Sequence, residues 1–154
     1  MNKTGDNNKT NEQAFVKVQF SPTLFSELIK FDVELNGVNI ADGLNKDVTV
    51  NWRMYDGFDP KGEFYTDSNG LEMEKRVINH KQYLNNEFKV QDQRDSHIPR
   101  NYYPVDSAIA MRDSNGSNVQ VTVMNDRSQG GSAVLSEKAT IELMQQRRHT
   151  TKDD

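Results

Sequence analysis

VQVTVM, residues 119–124, places valine at every second position, with Gln120 and Thr122 between. A period of two is the side-chain repeat of a strand with one buried face, and β-branched residues suit a pleated surface. The alternation recurs in both directions from this point. In 139–143 Ala139, Ile141 and Leu143 flank Thr140 and Glu142; in 48–54 Val48, Val50, Trp52 and Met54 flank Thr49, Asn51 and Arg53. Nearer the start, Phe31, Val33 and Leu35 alternate with Asp32 and Glu34, and Val16, Val18 and Phe20 with Lys17 and Gln19. Repeated half-buried strands predict an all-β fold, an antiparallel β-sandwich.

Turn chemistry lies between most of these runs. Asn36-Gly37 is a short hairpin signal. Asp-Ser-Asn-Gly occurs at 67–70 and again at 113–116; the second copy separates 108–111 from 119–124 and predicts a hairpin there. Gly130-Gly131 reads as a break, and SQGGS (128–132) as a tight loop. TLFSELIK (23–30) fits a short helical turn or a strand edge. LEMEKRVINHK (71–81) does not hold its apolar residues to one face, and reads as strand or irregular structure.

The 154 residues carry 19 Lys and Arg against 23 Asp and Glu, a net charge of −4. That balance lacks the clustered cations of a nucleic-acid grip. No run approaches the roughly 18 apolar residues of a membrane helix. Neither nucleic acid nor membrane is expected as a partner. With no cysteine, disulfides, thiolate zinc sites and thiol nucleophiles are excluded. The hydrophobic fraction is 34% and the mean hydropathy −0.87. Counted with glycine in place of tyrosine the fraction is roughly 37%, against about 45–50% in ordinary domains. A chain this polar carries a disordered part or borrows burial from a partner. Residues 1–13 (MNKTGDNNKTNEQ) have no apolar residue after Met1 and are expected to be a disordered polar head. They have no apolar core of a signal peptide. Glycosylation sequons begin at Asn2, Asn8 and Asn115.

Catalytic motifs are sparse. His80, His97 and His149 have no metal-ligand spacing and read as solvated surface residues. No nucleophile elbow, P-loop or dinucleotide fingerprint occurs. Carboxylates are many, but a glycosidase pair is defined by distance across a fold. Two aromatic and polar clusters stand out, FYTDSNG (64–70) and NYYPV (101–105). Rings with amides and carboxylates suit sugar binding; the same residues suit a sheet corner with a buried tyrosine.

FYTDSNG, Arg76, NYYPV, VQVTV (119–123), NDRSQGGS (125–132), IELM (141–144), Arg147-Arg148 and Asp153-Asp154 fall in one order and spacing. In that order they resemble the C-terminal β-domain of glycoside hydrolase family 38 alpha-mannosidases, the lysosomal type in particular. The likeness covers 47–154 and extends more faintly back to Phe25. The chain departs from the family pattern at Leu71, at 47–52 (DVTVNW), at Gln146, and in a longer stretch between Arg76 and Asn101.

The resemblance implies that 14–154 is a partial domain of a large C-terminal β-sandwich region, truncated at both ends. It implies hydrolysis of terminal alpha-linked mannose from oligosaccharides and glycoproteins, with retention of configuration. In such an enzyme zinc and the aspartate nucleophile belong to an N-terminal catalytic domain that this chain does not contain. This chain is then expected to hold no catalytic residue and no metal, to support the site, and to be inactive alone. Its expected partners are a mannose-containing oligosaccharide and that missing domain. Localisation in the lysosome, vacuole or secretory pathway is implied by the resemblance alone. Within the chain the resemblance points to Arg147 and Arg148 as substrate-binding, Arg147 first. If the alternation of 139–143 persists, Arg147 shares the face of Ile141 and Leu143, where a guanidinium must meet a carboxylate or reach a cleft. A stand-alone, non-catalytic β-module that binds carbohydrate or protein is the competing reading.

Overall fold

The computed structural model describes residues 14–20, 28–78, 101–135 and 138–148. Among them all regular structure is strand, and no helix is long and apolar enough to cross a membrane. The expected disordered head, the stretch 21–27 and all three histidines lie outside the described residues. The chain divides into two compact units, at Lys46/Asp47 and Arg147/Arg148.

The first unit contains a two-stranded antiparallel ribbon, β1 (Ala14–Phe20) with β2 (Ile29–Leu35). Its register pairs Val16 with Val33, Val18 with Phe31 and Phe20 with Ile29, so one face is apolar. The intervening pairs, Lys17 with Asp32 and Gln19 with Lys30, make the other face polar. Asn36-Gly37 does not close a tight hairpin. β2 leads instead into a longer connection, because the left-handed turn residue is Gly43 (φ 74°) and the carboxamide and carboxylate of Asn39 and Asp42 cap it.

The second unit, 47–147, is the predicted sandwich. One sheet has the order β3-β10-β9-β6: β3 (Lys46–Arg53), β10 (Ala139–Arg148), β9 (Gln129–Leu135) and β6 (Tyr103–Val105). The other has the order β5-β4-β7-β8: β5 (Glu72–Val77), β4 (Glu63–Ser68), β7 (Ala108–Arg112) and β8 (Gln120–Met124). The chain passes back and forth between the sheets, so each is assembled from segments distant in sequence. Phe64, Ile109 and Met111 from one sheet meet Val105, Ala133, Ile141 and Leu143 from the other in a shared core. Phe64, Ile109, Met111, Val105 and Ile141 are fully buried. Burying such a side chain is worth about 1.5–3 kcal/mol.

Both Asp-Ser-Asn-Gly segments lie at hairpins. β4 and β5 pair through a turn at Ser68–Leu71 whose central residues, Asn69 and Gly70, both have positive φ (51° and 71°). That conformation selects an Asn-Gly pair. β7 and β8 form the hairpin expected around 113–116. LEMEKRVINHK supplies β5.

SQGGS is not a tight loop. Residues 129–132 belong to β9, an interior strand bonded to β10 on one side and β6 on the other. Neither glycine has a left-handed φ; what each supplies is space. A Cβ on Gly131 would stand 2.5 Å from Val105 Cγ2 and 3.1 Å from Leu143 Cδ2, inside the core. On the opposite face a Cβ on Gly130 would stand 3.2 Å from the Tyr102 ring. The pair that looks like a chain break lets neighbouring strands press side chains against the backbone from both faces.

Asp67 decides the path between sheets. It is buried, and its Oδ1 accepts the backbone N–H groups of Asp106 (2.9 Å), Ser107 (3.0 Å) and Ala108 (3.2 Å). These residues form the corner where the chain leaves β6 in one sheet and enters β7 in the other. Oδ2 accepts the N–H of Gly70 at 2.8 Å, tying down the β4–β5 turn. Burial pushes the carboxyl pKa up, but the four N–H donors outweigh it and hold the value at about 2, below the ordinary 3.8. FYTDSNG is thus a sheet corner, gripped by an aspartate rather than a tyrosine.

Two outcomes follow for purified protein. Gly131→Ala should destabilise by about 1–3 kcal/mol through overpacking, and Gly130→Ala by less, read as the order of thermal midpoints. Because the folded pKa of Asp67 lies below its unfolded value, its contribution is complete above pH 3.8 and is lost as pH falls toward about 2. Asp67→Ala should cost about 3 kcal/mol at neutral pH, by loss of hydrogen bonds to a charged group. The variant should lose less stability on acidification over that window, measured by denaturant titration at each pH.

Candidate functional site

In β10, Ile141 and Leu143 face the core, so Glu142 faces outward from the sheet. Over this outer face lies Tyr102, its ring against Gly130 and its hydroxyl donating to Glu142 Oε1. Thr49 of β3 reaches the other carboxylate oxygen, with Oγ1 3.4 Å from Oε2. Two residues before Thr49 along β3, Asp47 meets Arg147 in a two-point contact, Nε to Oδ1 at 2.9 Å and Nη2 to Oδ2 at 3.0 Å. Tyr102, Glu142, Thr49, Asp47 and Arg147 form a polar cluster on β3, on β10 and just before β6.

Electrostatics within the cluster are mutual. Burial pushes the Tyr102 phenol above its ordinary value of 10, and its hydrogen bond to Glu142 pushes the same way. The negative charges of Glu142 and Asp47 add to this and Arg147 opposes it. Tyr102 is therefore a fixed donor, and Glu142 a carboxylate whose direction is set by two hydroxyls. The Asp47 hydrogen bonds push Arg147 further above the ordinary guanidinium range. They take the Nε–Nη2 edge of a group with five donors, which leaves N–H groups for another acceptor.

Of the two arginines singled out from sequence, Arg147 sits in this cluster, its side chain 53% exposed. It meets a carboxylate, and does so at the strand end rather than in the core. Arg148 is exposed at the last position of β10. Sequence reading did not find Asp47, Tyr102 or Glu142. Each lay in a stretch that the sequence singled out, DVTVNW, NYYPV and IELM, but Tyr102 and Glu142 are 40 residues apart and Arg147 is 100 from Asp47.

NYYPV divides its tyrosines between environments. Tyr102 joins the outer cluster, whereas Tyr103 packs edge-on to Phe64 with ring centroids 5.7 Å apart. The Arg76 guanidinium lies 4.5 Å from the Tyr103 ring centre. Arg76 also donates to Thr66 Oγ1 at 3.0 Å and pairs with Glu74 at 2.8 Å. This arginine is committed to joining β4, β5 and β6.

Among the described residues no three His, Asp or Glu side chains converge closely enough to hold an ion. The described residues do not fit a zinc centre.

The second unit is an antiparallel β-sandwich with a titratable cluster on one outer sheet face. The family profile described as "Glycosyl hydrolases family 38 C-terminal domain" matches residues 10–154, and the chain belongs to this family. It is 38% identical over 118 residues to lysosomal alpha-mannosidase of Felis catus, covering 76% of this chain and 10% of the relative. The corresponding human enzyme is 33% identical over 126 residues, covering 82% and 11%. Alpha-mannosidase D of Dictyostelium discoideum is 34% identical over 118 residues, covering 76% and 8%. The chain spans about a tenth of the length of these relatives.

The cluster yields a spectroscopic outcome. In an alkaline titration followed by tyrosinate absorbance, Tyr102→Phe should remove a phenol that ionises above 10 and leave the lower-pH part of the curve unchanged. Loss of amplitude near 10 instead would show that the Tyr102–Glu142 bond does not hold in solution.

Proposed function

We propose that this chain acts as part of the C-terminal β-domain of an alpha-mannosidase that removes terminal alpha-linked mannose from oligosaccharides and glycoproteins with retention of configuration. Membership of the family supports the reaction class. The observation that carries the role of this chain is the two-point Asp47–Arg147 contact at the strand end. In this reading the nucleophile and the zinc ligands belong to a separate N-terminal domain, and zinc supplies the means of holding sugar oxygens there. This chain supports that site and has no turnover by itself. The names of the relatives support a lysosomal location; a vacuolar or secretory placement belongs to the same proposal by family resemblance.

Asp47 fixes the plane and direction of the Arg147 guanidinium and offsets its charge. The remaining N–H groups of Arg147 then meet neutral sugar hydroxyls, or one oxygen of a catalytic carboxylate, in a fixed geometry. A planar fork suits this because two donors are aligned before substrate arrives. Arg148 serves as a secondary contact. Glu142, held by Tyr102 and Thr49, keeps the β10 backbone in place beneath them.

In the longer family 38 polypeptide that carries this sequence, Arg147→Lys keeps the charge and removes the fork. Its kcat/KM for an aryl alpha-mannoside should fall about tenfold or more, on the order of 1.4 kcal/mol of transition-state binding. Arg148→Lys should lower it by less. Unchanged kinetics in both folded variants would assign the arginines to surface structure. Turnover by the 154-residue chain alone would overturn the supporting role, and tight mannose binding by it without turnover would favour the stand-alone binding module.

A further inference from the structure

The β7–β8 hairpin carries chemistry that the mannosidase reading does not use. Its tip holds Asn115-Gly116-Ser117, an Asn-x-Ser acceptor triplet. Every residue from 114 to 120 is exposed, and a Cβ on Gly116 would meet nothing within 4 Å. β8 is the edge strand of its sheet, so the tip projects beside no further strand of that sheet.

The loop is exposed yet shaped. Asp113 Oδ1 accepts the N–H of Asn115 at 3.2 Å and that of Asp59 at 3.0 Å. Asp113 Oδ2 accepts the Ser117 hydroxyl, and the Asp113 N–H donates to Val119 O at 2.9 Å. Asn115 Nδ2 donates to the backbone oxygen of Gly57 at 2.9 Å. A primary carboxamide nitrogen has two hydrogens, and this bond uses one. Replacing the other by a sugar carbon leaves a secondary amide that retains an N–H for Gly57. Asn115 is exposed, so a substituent on it projects toward solvent and not into the core.

We propose that Asn115 is an N-glycosylation site, modified by transfer of an oligosaccharide from a lipid-linked pyrophosphate donor. Asn115 Nδ2 forms a bond to the anomeric carbon of the donor's first sugar. The bond from that carbon to the pyrophosphate oxygen breaks, and the lipid pyrophosphate leaves with the electron pair. One Nδ2 proton passes to a base of the transferase; no oxidation or reduction occurs. Ser117 supplies the hydroxyl that the transferase reads two residues on, and Gly116 lets the tip turn at positive φ (86°). The site rests on the secretory placement proposed above, and on no feature of the mannosidase chemistry.

The test is to route the full 154-residue chain through the secretory pathway of a eukaryotic host behind a cleavable signal, and to map the secreted protein by mass spectrometry. Amidase release of the glycan in heavy-oxygen water should leave a labelled aspartate at position 115. Asn115→Gln and Ser117→Ala should each remove one glycan from the electrophoretic pattern, and Ser117→Thr should restore or raise occupancy. Mapping the unsubstituted protein keeps the result independent of whether a variant folds. An unmodified Asn115 in secreted protein overturns the proposal, whatever Asn2 and Asn8 carry. A glycan at Asn115 in the routed chain, with none on the chain purified from its natural source, upholds the acceptor site and overturns the secretory placement instead.

Discussion

A single carboxylate determines how the two sheets are joined. Asp67 sits on β4, yet three of its four hydrogen-bond donors belong to the corner between β6 and β7. Successive backbone N–H groups converging on one oxygen require the chain to turn tightly there, and buried donors with no acceptor would be costly. Because β6 and β7 lie in different sheets, the corner sets where Val105 and Ile109 enter the core from opposite sides. The fourth donor, from Gly70, couples this long-range grip to the local β4–β5 turn. One short motif therefore contributes a core ring, a hairpin and an inter-sheet clamp.

The fold was legible where one physical rule acted alone. Val48 to Met54, Val121 with Val123, and the apolar members of 139–143 show a period of two because one face meets the core and the other does not. β9 was illegible because its glycines obey a different constraint. The side chains of Tyr102, Val105 and Leu143 fill the space above and below it, and glycine there marks crowding rather than a turn. Asn36-Gly37 misled for the converse reason. A turn-forming pair permits a hairpin, but the register of β2 is set by its apolar face against β1, and β3 belongs to another sheet.

The cluster on the outer face was legible only in part. Arg147 could be named from its place after a strand and from family resemblance. Asp47 could not, since nothing in residues 46–53 says which strand lies beside β3. Tyr102 and Glu142 posed the same difficulty, each unremarkable until β10 and the segment before β6 are brought together. Two adjacent tyrosines point to opposite faces, so one motif serves both the core, through Tyr103 and Phe64, and the outer cluster, through Tyr102.

Asp47 and Arg147 are the first and last residues of the second unit, and their side chains touch. The sandwich thus begins and ends at one point. Closing a chain of this length costs only a few kcal/mol of entropy, because the cost grows with the logarithm of its length. Domains whose ends meet tolerate insertion and permutation. To a longer polypeptide such a sandwich has the topology of an insert: the chain enters and leaves it through the adjacent strands β3 and β10.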